Sequence, residues 1–397
     1  MSKERKEQIW TVDFIVTCMS SFFMFTTFYV LATAFPLYVK DIFHGNQQQM
    51  GLAITIYVIG GVILRPISGL WVDRLGKRKM AIVGMLIFLI SCISYFGTSG
   101  LFIFLFIRLF HGMSYALAST ATTTIASSLI PNSRQGEGMG YFSLFMSVAM
   151  VIGPALGLFL WKDKNENTLL MTVTAIAAVS FIFTMLIRVK REKEPDKNTE
   201  IAKEKHRLRW SDIIEPKALP ISLVAFVLSF SYSSLAGFIA SYMEEIHHTR
   251  VTGYFFMVFG MLIIVTRPII GKVFDKYKEH YLYYPGILLF SAGMLLLSQA
   301  HSGTVIILAA IIMGTGYGAL LPCFQTLAMQ LAPEHRRGSA IGTFFVLFDL
   351  GYGLGSYFMG VIVSVSSFRT MYLIAGLITL FSVIIYYLVH HRHDQTR

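Results

Sequence analysis

The chain has 397 residues, of which 55% are hydrophobic and only 14% charged. A soluble globular domain carries nearer a quarter charged residues, so the composition excludes an ordinary soluble protein, a disordered chain and a disulfide scaffold. The net charge of +11 would point to nucleic acid in a soluble protein, but a mean hydropathy of +0.62 argues against that partner and makes the placement of the cations decisive.

Apolar runs recur from one end of the chain to the other. Met1–Gln8 is charged, and the apolar stretch after it is longer than a signal-peptide core, so the first segment is expected to stay as a helix. Helices are predicted at Trp10–Val39, Met50–Val72, Met80–Thr98, Leu101–Ile130, Gly138–Trp161 and Leu169–Val189. A polar stretch, Lys190–Asp212, follows. Six more are predicted at Ala218–Met243, Thr252–Phe274, Leu282–Ala300, Thr304–Leu331, Ser339–Val365 and Met371–Val389. A spanning helix needs about 20 apolar residues, so twelve use roughly 240. The expected fold is an all-α membrane protein of twelve spans. Its domains are a six-helix bundle at 1–189, a cytoplasmic linker at 190–212 and a second six-helix bundle at 213–397.

Lys and Arg resist translocation, so their distribution sets orientation. Of the 33, 25 fall on one side of this plan, five on the other, and three (Arg65, Arg108 and Arg267) inside spans. The linker and both termini are therefore expected in the cytoplasm. Cys18, Cys92 and Cys323 each stand alone in apolar segments and form no metal or redox pattern. His247-His248 and the tail His390-His391-Arg392-His393 read as exposed polar segments rather than metal sites. No cofactor or metal is expected, and without a phosphate-binding loop no direct use of ATP.

The two bundles repeat. Arg65-Pro66-Ile67-Ser68-Gly69 recurs as Arg267-Pro268-Ile269-Ile270-Gly271, an offset of 202. The same offset carries Asp73 to Asp275, Tyr115 to Tyr317, Pro131 to Pro333, Gly136 to Gly338 and Gly153 to Gly355. One ungapped offset over so long a stretch implies two similar bundles related by an axis along the membrane normal.

The loop after the second helix reads Gly69-Leu70-Trp71-Val72-Asp73-Arg74-Leu75-Gly76-Lys77-Arg78-Lys79. Gly69 allows close helix approach, Gly76 a tight turn, and the cations hold the loop inside. Asp73 lies at a membrane boundary, where a carboxylate needs a partner. This segment resembles the loop between helices two and three of the major facilitator superfamily. The twelve-helix duplicated plan extends the resemblance over the whole chain, with Trp71 departing from the usual leucine. The resemblance implies the major facilitator fold and a conformational latch. Asp73 could bind the dipole end of the eleventh helix near Gly338 in one state and release it in the other. The second copy keeps Gly271 and Asp275 but has Lys278 in place of Gly76, so a weaker latch is expected there. A role in topology and folding alone is the alternative.

The fifth helix carries Gly140, Ala149, Gly153, Pro154 and Gly157. The pattern resembles the motif of drug/proton antiporters in the superfamily, with Ala149 in place of one glycine. Small residues and a proline suit a close, adjustable seam between halves, or an ordinary packing face. Arg108, His111 and Tyr115 share one face of the fourth helix, and Arg108-x-x-His111-Gly112 resembles the family's motif there. Arg108 is read as a proton-coupling residue or a cap for carbonyl groups. Asp349 is the carboxylate deep in an apolar span, a candidate protonation site or a polar group bonded to a neighbouring helix. His111 is a second candidate or a hydrogen-bonded core histidine. By resemblance the first, fourth, seventh and tenth helices line the cavity, which makes Tyr29, Tyr115, Tyr232 and Tyr317 candidate substrate contacts.

The expected function is proton-coupled efflux of a small organic molecule, a drug-like compound or metabolite, by alternating access. The expected setting is a bacterial cytoplasmic membrane, and the expected state a monomer. A dedicated metabolite or metallophore exporter, an uptake symporter and a non-transporting receptor or enzyme are the alternatives.

Overall fold

The computed structural model describes residues 8–45, 47–188 and 214–392. The linker at 190–212 lies outside the described residues, as does His393. Among the described residues, twelve helices are long and apolar enough to cross a membrane. They are α1 Val12–Ile42, α2 Gln47–Leu75, α3 Lys77–Ser94, α4 Leu101–Leu129, α5 Gln135–Trp161 and α6 Glu166–Leu186. The second set is α7 Leu219–Glu245, α8 Thr249–Lys276, α9 His280–Ser298, α10 Gly303–Leu331, α11 Arg337–Val365 and α12 Phe368–Tyr386.

These are the predicted spans; α2, α5 and α8 are longer by about a turn or more, and the others keep their predicted length to within two residues. The added residues are charged or polar ones at the ends, such as Asp73 and Arg74 in α2 and Asp275 and Lys276 in α8. Past the hydrocarbon a helix still satisfies its own backbone while its side chains reach water, so an apolar window underestimates its length.

Among the described residues, four helix starts are capped locally. The side chains of Thr11, Asn165, Ser302 and Ser367 accept the N–H of Phe14, Thr168, Val305 and Thr370. The starts of α5 and α11 have no such cap. Each follows a proline and a single 3₁₀ turn, Asn132–Arg134 and Glu334–Arg336, at equivalent places in the repeat. Both end on the cation-rich side of the bundle.

Within the first bundle α1 packs on α5 and α6, and α2 on α4; within the second α7 packs on α11, and α10 on α8 and α9. Met24, Phe35, Tyr38, Phe88 and Phe104 are among the buried residues of the first core, and Tyr242, Phe290, Phe324 and Tyr372 of the second. Large apolar groups also face outward, with Phe102 83% and Phe159 72% exposed. That surface suits lipid.

The halves meet along two equivalent seams, α2 on α11 and α5 on α8. At the first, a Cβ on Gly69 would lie 2.6 Å from the Gly338 carbonyl oxygen. At the second, a Cβ on Gly271 would lie 2.5 Å from the Gly136 carbonyl oxygen. Backbone meets backbone at both, so only glycine fits. Gly69→Ala should therefore weaken the closed seam by about 1–3 kcal/mol, the usual scale of overpacking. The readout is labelling of a cysteine placed at Ser339, 1% exposed at this seam, by an impermeant maleimide, since the three native cysteines are buried. Faster labelling is expected; an unchanged rate would mean the seam tolerates a methyl group.

Candidate functional site

The uncapped starts of α5 and α11 are capped from the opposite half. Asp73, in the last turn of α2, accepts the Gly338 and Ser339 backbone N–H groups, both at 2.8 Å, and the Ser339 hydroxyl at 2.7 Å. Asp275, in the last turn of α8, accepts the Gly136 and Glu137 N–H groups at 2.6 and 2.7 Å. Each carboxylate meets orphan donors and the positive end of a helix dipole.

The second copy is thus complete at its carboxylate, where the sequence suggested a weaker one. What has changed is its surroundings. Gly76, at φ +94°, alone links α2 to α3, whereas the chain takes three residues, Tyr277 to Glu279, between α8 and α9. Glu137 stands where Ser339 gives the first copy a hydroxyl bond, and pairs with Arg134 at 2.6 Å and Lys272 at 3.8 Å. Arg74 and Lys77 flank the Gly76 turn, and Arg78 donates to the Met185 carbonyl at 3.2 Å, tying α3 to α6.

The small residues of α5 divide between two neighbours. Gly140 faces the Arg267 backbone across the seam. Gly153 and Gly157, on either side of Pro154, instead lie against Tyr29, Val30 and Thr33 of α1 in the same half. Ala149 is buried in the first core. The motif is a seam between halves only at its cation-rich end.

At the middle of the bundle Asp349 of α11 meets Arg65 of α2, with Nε donating to Oδ2 at 2.5 Å. The Arg65 guanidinium also donates to Ser119 Oγ at 3.3 Å and lies 4.3 Å from the Phe345 ring centroid. The Arg65 side chain is 4% exposed and that of Asp349 23%, so the pair is buried mainly on the arginine side. It is an ion pair between the halves.

Arg108 is elsewhere. Its Nε donates to the Ala53 carbonyl at 2.7 Å, and the guanidinium lies 4.3 Å from the Tyr57 ring centroid and 5.2 Å from that of Phe35. Nη1 and Nη2 are buried without a hydrogen-bond partner. Ala53 and Arg65 are 12 residues apart on α2, about 18 Å along a helix. Arg108 thus bonds a carbonyl group, one of its two readings from the sequence, and the partner of Asp349 is Arg65. His111 is fully buried, its Nδ1 3.0 Å from the Tyr95 hydroxyl and its Nε2 3.8 Å from Cys92 Sγ, against the Phe88 ring. This is the surrounding of a core histidine.

The tyrosines form two groups. Tyr232 of α7 stacks on Tyr317 of α10, centroids 4.4 Å apart. Tyr115 of α4 stacks on Phe28, and Tyr29 of α1 meets the same ring edge to face. Arg267, the repeat mate of Arg65, donates through Nη1 to the Ser143 carbonyl of α5, while its Nε is buried without a partner.

Sequence reasoning missed Arg65, Arg267 and Ser339 as site residues. The signal was present. The repeat places an arginine one helix turn before each seam glycine, and a membrane carboxylate needs a cation. The tail also differs from expectation. His390 is buried and pairs with Glu279 at 2.8 Å, and His391 Nδ1 lies 2.6 Å from the Tyr284 hydroxyl. Burial acts to raise the Glu279 pKa, yet the His390 bond and neighbouring charges hold it below the ordinary value.

The model of the Major Facilitator Superfamily matches residues 17–356. The chain belongs to this superfamily. It is a multi-pass membrane transporter of small-molecule substrates rather than an enzyme. It is 24% identical to the multi-drug resistance efflux pump PmrA of Streptococcus pneumoniae, over 87% of this chain and 88% of that one. It is 23% identical to the staphylopine export protein of Staphylococcus aureus, over 90% and 91%. Among solved structures, the human organic anion transporter MFSD10 superposes with a TM-score of 0.79 at 15% identity, covering 94% of this chain and 98% of that one. The transporter FucP, in the outward conformation, gives 0.75 at 14%, covering 95% and 98%.

Removing one partner of a buried ion pair typically costs about 3–5 kcal/mol. Arg65→Met and Asp349→Asn should each destabilise the detergent-solubilised transporter on that scale, and the double variant by less than their sum. Arg108→Met combined with Asp349→Asn should be additive within about 0.5 kcal/mol, as for distant sites. A thermal-unfolding double-mutant cycle measures both; strong coupling of Asp349 to Arg108 instead would contradict the geometry.

Proposed function

We propose that the chain is a proton-coupled exporter of small organic molecules in the cytoplasmic membrane of a bacterium. The cation-rich end faces the cytoplasm, together with both termini. The observation that carries the coupling is the Arg65–Asp349 pair between the halves. One relative named as an efflux pump and another named as an export protein support the direction of transport.

In the proposed cycle the described arrangement is closed toward the cytoplasm, with both aspartate caps in place. Ionised Asp349 pairs with Arg65 and favours this closed state. A proton arriving from outside neutralises Asp349 and removes the Coulomb attraction between α2 and α11. The halves then rock open toward the cytoplasm as the two caps release. Substrate enters, the proton leaves to the cytoplasm, and the pair re-forms on the return. The ion pair and the proton thus favour opposite states, so proton binding shifts the equilibrium between them. Tyr29, Tyr115, Tyr232 and Tyr317 contact the substrate between the bundles. Arg108 stabilises the aromatic interior of the first bundle, and His111 packs there without carrying the proton.

Inverted vesicles with an imposed pH gradient and a solute panel test this reading. A transported solute should release protons from the lumen, and Asp349→Asn should cut gradient-driven transport at least about ten-fold, a cost near 1.4 kcal/mol. Solute exchange without a gradient should persist. Undiminished gradient-driven transport in this variant would refute the coupling role, and accumulation only in right-side-out vesicles with an inward gradient would indicate symport.

A further inference from the structure

The repeat that pairs Arg65 with Asp349 does not provide Arg267 with a carboxylate. The offset of 202 takes Asp349 back to Ser147. Arg267 is 4% exposed, and Ser147 is 3% exposed. The two meet on one atom, since Arg267 Nη1 and Ser147 Oγ both donate to the Ser143 carbonyl of α5. One seam therefore holds a cation with its counter-ion, and the other a cation in the same place with a hydroxyl where the counter-ion would be.

A buried guanidinium in a membrane protein needs an anion, carbonyl groups or water. Here one carbonyl uses one of its nitrogens, and Nε remains buried without a partner. Tyr29 of the first bundle and Tyr232 and Tyr317 of the second lie within electrostatic reach of this guanidinium. Tyr29 and Tyr232 retain partial exposure in the interior. Tyr352 of α11 lies within reach of the same tyrosines and near Tyr232, ring centroids 6.3 Å apart. A fixed positive charge within electrostatic reach of stacked phenol rings suits an aromatic or conjugated solute that carries an acid group. The guanidinium fork matches a carboxylate and the rings match the body of the solute.

We propose that Arg267 is the acceptor for an anionic group, a carboxylate, on the transported solute, which supplies the counter-ion that Ser147 replaced. The site deepens the export reading and rests on it for its setting. It gives the two seams separate tasks. Arg65 holds the resident carboxylate that exchanges protons, and Arg267 holds the carboxylate that is moved. Because the solute brings its own charge to a cation already in place, an acid should be favoured over its neutral or cationic ester.

The test uses the full chain in lipid nanodiscs and two probes with one body, a xanthene dye bearing a free benzoate carboxylate and the methyl ester of the same dye. Fluorescence anisotropy should show the acid binding about ten-fold or more tightly than the ester, a difference expected of one charge-assisted contact. Arg267→Met should remove that preference, and Arg267→Lys should restore part of it. Ser147→Asp keeps the arginine and adds the carboxylate found on the other seam, so it should also remove the preference. It decides the matter if Arg267→Met fails to fold. Equal binding of acid and ester to the native protein, or a preference that survives in Ser147→Asp, would overturn the proposal. Proteoliposomes separate this result from the export reading. Dye movement without acid preference rejects the anion site alone, whereas acid preference in binding without movement of either dye supports the site and counts against export.

Discussion

A carboxylate from one half of the molecule caps a helix of the other, twice. α5 and α11 begin without caps of their own, and Asp275 and Asp73 accept their orphan N–H groups. A capping bond is ordinarily local and permanent. Placed between two bodies, it becomes a contact that exists only when they are together. The glycines at 69, 136, 271 and 338 follow from it, because the donors can be reached only where backbone touches backbone. A helix end that loses its cap at this depth meets water from the open cytoplasmic side, so in the proposed cycle release is not prohibitively costly.

The rim is symmetric and the centre is not. At the rim the repeat retains aspartate, glycine and the 3₁₀ turn in both copies. At the centre it retains the arginines and exchanges Asp349 for Ser147. In the proposed cycle, symmetric latches let the halves rock about a common axis, and an asymmetric centre lets a single carboxylate sense the proton without a second site opposing it. Arg65 and Asp349 join the same two helices, α2 and α11, that Asp73 joins.

Much of this was legible in the sequence. The twelve spans followed from apolar runs, and the repeat offset located both seams, since a glycine needed for close approach is retained in both copies. The capping role of Asp73 was legible through the resemblance of its loop to the superfamily's, together with the need of a boundary carboxylate for a partner. The partner of Asp349 was not. Arg65 lies 284 residues away in sequence, and Arg108 matched a family pattern more visibly. Periodicity places side chains on faces, but it does not say which faces of α2, α4 and α11 meet. The same limit hid the split of the fifth-helix motif, where Gly140 turns to α8 while Gly153 and Gly157 turn to α1. His390 read as part of a polar tail because composition cannot show that a helix continues and folds its histidines onto α9.

In the proposed cycle the charge on Asp349 holds the cation-rich end shut. Spin labels at Leu75 and His335, exposed residues at the cation-rich ends of α2 and before α11, allow the distance across that seam to be measured by double electron–electron resonance as pH is lowered. A short distance is expected at high pH, with a growing long-distance population as Asp349 is protonated and a long-distance population in Asp349→Asn that no longer responds to pH. A distribution independent of pH in the native protein, or an unaltered pH response in Asp349→Asn, would contradict this role of Asp349.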